Sequence, residues 1–219
     1  MKISDSPSVQ GLLKRQIRFY LTNYSPCPYL PGQVERKVFT NLSVDDAEDL
    51  HDALTHSGFR RSQNIAYRPA CEACRACRAT RVPVATFSHS KRWKRVWNKN
   101  ADFIRTARPP TATREQYRLL MRYLNSRHQD GGMSDMSLAD YVAMVEGSPV
   151  PSVIFEYRDS DADDAPLRAV AIADVLRDGL SMVYSFFDPD FAQRSVGSFL
   201  ILDHIEHARS LNLPYVYLG

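Results

Sequence analysis

The chain has 219 residues, 44 % hydrophobic, 11 % aromatic and 24 % charged, a globular composition that excludes a disordered polyelectrolyte and suits one large domain or two small ones. Its net charge of +3 hides an uneven distribution: residues 60–108 carry 13 Lys/Arg against Glu72 and Asp102, whereas residues 109–219 carry nine against 16 Asp/Glu. A basic middle in a near-neutral chain fits a polyanion site, and it fits equally a solvated face balanced by acidic neighbours.

Met1 and Lys2 lead into polar residues rather than an apolar signal core. The greasiest run, near Val196 to Ile205, is broken by Ser198, Asp203 and His204 and falls short of the ~20 apolar residues of a membrane span. Three of the four cysteines form one tight cluster, unlike a secreted disulfide framework. A soluble, cytoplasmic protein with no membrane partner is therefore expected.

In chain order, Ile17 to Tyr24 alternates as a strand and runs into the Pro-rich loop Ser25 to Gly32. Val34 to Leu42 reads as a second strand, and Ser43 as the cap of a helix that ends at Gly58. Phe59 to Tyr67 and Arg81 to Phe87 are strand-like, Ser90 to Asn98 is a short basic helix, and Asp102 to Arg108 is a strand. Pro109-Pro110 is the expected domain boundary. Thr113 opens a helix to about His128, and Ser137 begins a shorter one with a capping-box pattern. Strands at Ser152 to Tyr157, Leu167 to Leu176 and Leu180 to Phe187 follow, the first two joined by the acidic loop Asp159 to Asp164 and the last two by a turn at Asp178-Gly179. A helix from Ser195 to Ser210 and a strand from Tyr215 to Leu218 complete the chain. The expected fold class is α+β: an N-terminal Cys-containing α/β region over 1–108, then a mixed-sheet domain over 109–219 whose element order is that of the GNAT (N-acetyltransferase-like) fold. Such an order fixes no function.

Three motifs carry chemistry. Cys71, Cys74 and Cys77 follow one another at two-residue spacers, and Cys27 lies upstream. Four soft thiolates suit zinc or an iron–sulfur cluster; the alternative is four reduced thiols in a loop without metal. The helix Ser90 to Lys99 interleaves Trp93 and Trp97 with Arg92, Lys94 and Arg95. The cations are candidate RNA-phosphate contacts, and the Trp pair either stacks bases or, more in keeping with its spacing, packs into the core. Finally, Tyr184 to Asp190 ends a strand, and Arg194 to Ser198 opens a helix where Arg194 and Gly197 would border a bound phosphate.

Cys27-Pro28-Tyr29-Leu30-Pro31-Gly32, Tyr67-Arg68-Pro69-Ala70-Cys71 through Cys77 with Arg81-Val82-Pro83-Val84, Val183 to Pro189, and Leu213 to Gly219 together resemble the bacterial aspartate/glutamate leucyltransferases, relatives of the arginyl-tRNA–protein transferases. The resemblance spans nearly the whole chain. It implies transfer of leucine from Leu-tRNA to the α-amine of proteins that begin with Asp or Glu, whose products are then degraded by the N-end rule (N-degron) route. It implies a metal or iron–sulfur association for the Cys region, although the relatives' Cys pattern differs from this one. Members usually continue past a strand like Tyr215 to Gly219 with an aromatic, basic tail, so this chain is expected to lack that tail. On this reading Asp188 takes the ammonium proton or orients the amine, Tyr184 donates to the developing oxyanion or the ribose, and Arg78 and Arg81 read the acceptor's acid. The competing readings are arginyl transfer by the same chemistry, an acyl-CoA N-acyltransferase, and a non-catalytic RNA-binding module.

Overall fold

A computed structural model describes residues 17–127, 135–162 and 164–219. The expected helix end at His128 and Asp163 of the acidic loop lie outside them.

The first sheet is four-stranded and antiparallel, in the order β1 (Tyr20–Leu21), β4 (Lys37–Asn41), β6 (Ile65–Pro69), β5 (Arg60–Ser62). A small hairpin, β2 (Ser25–Pro26) with β3 (Val34–Glu35), projects from it. The expected strand Val34 to Leu42 is thus two strands interrupted at Arg36, and Phe59 to Tyr67 is a hairpin whose turn puts Gln63 at φ 51°. Helix α1 (Ala47–His56) closes over the sheet with Leu50 and Leu54 against Leu42, Phe59 and Ala66. Its N-cap position is held by Asp46, not Ser43, and no side chain caps it. Gly58, at φ +81°, turns the chain out of the helix in a conformation that favours glycine.

The second sheet has six strands, in the order β7 (Arg81–Pro83), β12 (Tyr215–Tyr217), β11 (Gly179–Phe187), β10 (Leu167–Leu176), β9 (Ser152–Arg158), β8 (Ile104–Arg108). Only β11–β12 is parallel. The division expected at Pro109-Pro110 falls inside this unit, because β7 and β8 are hydrogen-bonded into its two edges.

β10 is apolar on both faces, as a strand covered on both sides is. Its Ala169, Ala171 and Ala173 pack with α2 (Lys91–Lys99) and α5 (Val196–Ser210) through Val96, Phe199 and Leu200. Its Val170 and Ile172 pack with α3 (Arg114–Arg127) and α4 (Leu138–Glu146) through Leu120, Leu124 and Tyr141. Ser137 and Asp140 form a reciprocal capping box at the start of α4. The β10–β11 turn is Arg177–Asp178 rather than Asp178-Gly179. Gly179 is instead the point where β12 crosses closest: a Cβ there would lie 2.4 Å from the Tyr215 carbonyl oxygen. No helix among the described residues is long and apolar enough to cross a membrane.

Candidate active site

The six-stranded sheet divides at β11. Through Ser181 this strand has β12 on one side and β10 on the other; past Ser181 only β10 accompanies it. The register against β10 also shifts there, Ala173 opposing Met182 and Ile172 opposing Tyr184, so Val183 is the extra residue of a β-bulge. Bulges re-aim side chains and end pairing, and they recur beside active sites.

Tyr184 sits just past the bulge, on the face covered by α3 and α4, packed with that apolar cluster. Burial, with a smaller push from Tyr123, raises its phenol to about 12, so it is a proton donor throughout the neutral range.

Asp188 ends β11 and caps a short 3-10 turn over Pro189–Arg194. Its side chain is 1 % exposed. Arg122 of α3 donates to both carboxylate oxygens, at 2.8 and 3.3 Å, Arg168 of β10 donates at 2.9 Å, and the Asp190 backbone N–H at 3.2 Å. The carboxylate is thus buried and engaged on both oxygens. The role expected for Asp188, as base for the acceptor amine, is therefore corrected: it anchors Arg122 and Arg168. Neither arginine stood out in the sequence.

Arg194 is corrected likewise. It donates to the Lys99 carbonyl at 2.7 Å, pairs with Asp102, and lies over the Phe103 and Phe191 rings. These contacts fasten α2 to the start of α5, and the guanidinium is not free for a phosphate. At Gly197 an added Cβ would meet only the Phe187 ring, at an ordinary 3.5 Å, so no close approach requires a glycine there.

The two arginines expected to read the acceptor are separated. Arg78 stays exposed on the Cys loop. Arg81, on β7, enters a cleft of about 230 Å³ with Thr55 and His56 of α1, Ser181 of β11 and Tyr217 of β12. Those four residues escaped the sequence reading; the Tyr-Val-Tyr alternation of β12 was its only visible trace.

The four cysteines, Cys27, Cys71, Cys74 and Cys77, all line one pocket of about 330 Å³ with Tyr29 and Tyr67. The donor chemistry suits a soft metal. Among the described residues, however, no three of His, Cys, Asp or Glu come close enough to share an ion. Cys71 Sγ instead approaches the Arg36 carbonyl at 3.8 Å, as a thiol donor. As placed, these residues do not fit a zinc or iron–sulfur site.

With this geometry in hand, known proteins supply a frame. Models of arginine-tRNA-protein transferase match the chain over residues 25–95 (its N terminus) and 115–219 (its C terminus). The chain belongs to the arginine-tRNA-protein transferase family. Among its relatives are proteins called aspartate/glutamate leucyltransferase. That of Hyphomonas neptunium is 58 % identical over all of this chain and 87 % of its own length. Those of Nitrobacter hamburgensis and Parvibaculum lavamentivorans are 56 % and 54 % identical over 92 % of this chain and 80 % and 83 % of their own. Among solved structures, the C-terminal domain of a putative lysylphosphatidylglycerol synthetase from Agrobacterium fabrum aligns at 14 % identity and a TM-score of 0.45, covering 64 % of this chain and 45 % of that one. The chain is thus a transferase.

In this transferase α2 keeps the character expected of it. Ser90 caps it by accepting from the Trp93 N–H at 3.3 Å. Trp93 and Trp97 are half-buried against the core, Trp97 lying 5.6 Å from the Phe199 ring. Lys91, Arg92, Lys94, Arg95 and Lys99 are exposed, and none is in an ion pair among the described residues. The Trp pair is packing; Arg92 lies over the Trp93 ring at 5.0 Å, and the cations of α2 stay unpaired with carboxylates among the described residues.

Proposed function

We propose that this transferase moves leucine from Leu-tRNA to the α-amine of proteins that begin with Asp or Glu, in the cytoplasm, and so marks them for degradation. The observation that carries the reading is the identity of 58 % to 54 % with relatives named aspartate/glutamate leucyltransferase.

The donor is an aminoacyl ester. The neutral acceptor nitrogen attacks its carbonyl carbon, the new C–N bond forms, and the C–O bond to the ribose breaks. The amine's proton passes to solvent, and the ribose oxygen leaves as a hydroxyl. Because the ester is already activated, the reaction calls for alignment rather than a cofactor. Tyr184 is the donor to the oxyanion that develops on the carbonyl or to the ribose oxygen that leaves. Asp188 and Asp190 together hold Arg122 of α3, which is half exposed beside the end of β11. Arg92, Lys94 and Arg95 of α2 meet tRNA phosphates. The parting of β11 from β12 is the feature we take as GNAT-like, a place where a substrate's backbone enters a sheet.

The test offers the protein a peptide beginning with Asp, together with Leu-tRNA, Arg-tRNA or acetyl-CoA in separate reactions, and follows peptide mass. A gain of one leucine from Leu-tRNA alone is expected. A gain of arginine overturns the donor and keeps the reaction class. An acetyl shift points to an acyl-CoA enzyme, and tRNA binding with no shift in any reaction points to a binding module.

A further inference from the structure

The geometry points to the cleft between α1 and the β11–β12–β7 edge as the pocket for the carboxylate side chain of the acceptor's first residue, with Arg81 as its cation and Thr55 as its second donor. The inference rests on the acceptor reading above and gives it a site.

The cleft belongs to a polar row that the strand register builds. Ser152, Asp174, Ser181, Tyr217 and Arg81 are successive cross-strand partners on β9, β10, β11, β12 and β7. Partners in register project to one face of a sheet, so five residues far apart in sequence line up side by side. At the β9–β10 end the row is closed. Asp174 accepts from Arg61 twice at 2.6 Å, from His51 at 3.0 Å and from Ser152 at 2.8 Å, and is fully buried. At the β11–β7 end the row borders the cleft, together with Thr80 and Gly219.

The charge in the open end is of the right sign. Arg81 is in no ion pair with a carboxylate among the described residues. It makes one long hydrogen bond, 3.4 Å to the Tyr217 hydroxyl, and lies 4.0 Å from the centre of the Tyr215 ring. A guanidinium stacked by its face keeps its edge N–H groups for a planar acceptor, and a carboxylate is the bidentate match. The acid nearest to it, Asp178, is engaged on one oxygen by the Tyr217 hydroxyl and by His56 Nε2, each at 2.9 Å. That clamp holds two walls of the cleft in place.

Thr55 supplies the independent sign of a ligand. It is 6 % exposed, lines the cleft, and its Oγ1 is buried without any hydrogen-bond partner, not even the carbonyl one turn back in α1. Buried hydroxyls are almost always paired, and this one is not; its oxygen has almost no surface open to the cleft as the side chain stands, so meeting a ligand takes a turn about the Cα–Cβ bond. The size agrees: about 230 Å³ is below the ~300–1,000 Å³ of sites for drug-sized ligands, and suits one short side chain rather than a nucleotide. The position agrees as well. Tyr184 opposes Ile172, two residues before the Asp174 that opposes Ser181. At about 3.3 Å of rise per residue, the phenol's row lies roughly 7 Å from the cleft's row on the same face. Arg81 itself stands two strands from β11, about 10 Å to the side at about 4.8 Å per strand, so about 12 Å separates the Arg81 and Tyr184 backbones, a gap that the Arg81 side chain and the acceptor residue together would span.

The experiment uses the full chain and two variants, Arg81→Gln and Thr55→Val. It reads leucine transfer to peptides beginning with Asp, Glu or Asn, and binding of the same peptides in the absence of tRNA. Arg81→Gln is expected to raise KM for the Asp peptide at least tenfold and to abolish the preference for Asp over Asn in binding. Thr55→Val is expected to raise KM several-fold. Both should leave kcat at saturation and tRNA affinity near wild type, a split that mere loosening of the fold would not produce. If Arg81→Gln lowers the melting temperature, Thr55→Val, which keeps the side chain's shape, carries the test. Wild-type KM for Asp and Glu peptides in folded variants overturns the pocket and leaves leucyl transfer standing. If the wild-type protein transfers no leucine, the transfer reading fails, and peptide binding still decides: an Asp preference lost in Arg81→Gln supports the pocket, and equal binding of Asp and Asn peptides overturns it.

Discussion

Partial burial makes Tyr184 a donor that keeps its proton, because the α3 and α4 side chains around the phenol leave its anion less well solvated. Removing the hydroxyl should therefore act on the chemical step rather than on binding. Tyr184→Phe is expected to lower kcat by about 10²–10³-fold, the usual loss of one oxyanion donor, with KM for peptide little changed. The residual rate should show no new ionisation between pH 6 and 9, since the hydroxyl removed titrates near 12. An unchanged kcat in the folded variant removes Tyr184 from the mechanism. At Asp188 the expectation differs, because its carboxylate is structural. Asp188→Asn leaves Arg122 and Arg168 facing an amide in a buried place, and should cost about 3 kcal/mol in urea melting, at the low end for breaking a buried pair because Arg122 is half exposed. The sequence offered Asp188 as a base because an acid at a strand end is a common base. Arg122 and Arg168 are 66 and 20 residues away from it, and nothing in the local pattern announces them.

Elements were legible where a local signal sets them, and less so where pairing does. Helix α4 begins at the Ser that its capping pattern marked, because a cap is decided by residues three apart, whereas the cap read at Ser43 gave way to Asp46. The β9–β11 meander was plain from its long apolar runs, whereas β1 shrank to Tyr20–Leu21 and β7 to Arg81–Pro83, short edge strands whose length depends on their neighbour. The exposed cations of α2 were likewise readable from charge alone. Lys94→Glu with Arg95→Glu should weaken tRNA binding and reduce its log–log salt slope by about 0.9 for each phosphate that is no longer neutralised; an unchanged slope would take α2 out of the RNA interface. Helix α5 hides a titration that no pattern showed. His204 is fully buried; its Nδ1–H donates to the Leu200 carbonyl at 2.7 Å, its Nε2 has no partner, and the Phe155 ring lies 4.9 Å away. Burial, aided by Arg105 and His207 and opposed by Asp203, lowers it from 6.5 to about 4. The unfolded chain therefore binds this proton first, so the stability due to His204 is complete above pH 6.5 and is lost as pH falls toward 4, on the order of 3 kcal/mol in all. His204→Gln should flatten the stability curve over that window.

At the scale of the whole molecule, the two sheets are joined by one buried carboxylate. Asp174 lies on β10 of the larger sheet, while Arg61 and His51 come from β5 and α1 of the smaller unit. Burial pushes its carboxyl up, but hydrogen bonds from His51 and Arg61 outweigh burial and hold it below the usual range, so it is ionised at neutral pH. Sequence alone could not assign this pair, because 113 residues separate Arg61 from Asp174 and each reads locally as a surface charge. The same row continues to Ser181, Tyr217 and Arg81, so the join also sets how α1 and Thr55 stand over the cleft. Asp174→Asn keeps one oxygen, which can accept from His51 or from Ser152 but not from both, and strands the Arg61 cation, which should cost about 3–5 kcal/mol. Pairing it with Arg61→Met removes the stranded charge, and the double variant should recover much of the loss, a coupling that a double-mutant cycle reads directly. If the join also positions the acceptor pocket, Asp174→Asn should raise KM for Asp peptides under conditions where the protein is still folded, while tRNA affinity, which we propose rests on α2 on the other face of the larger sheet, stays unchanged. A loss of stability with KM untouched would mean that the carboxylate holds the two units together without setting the cleft between them.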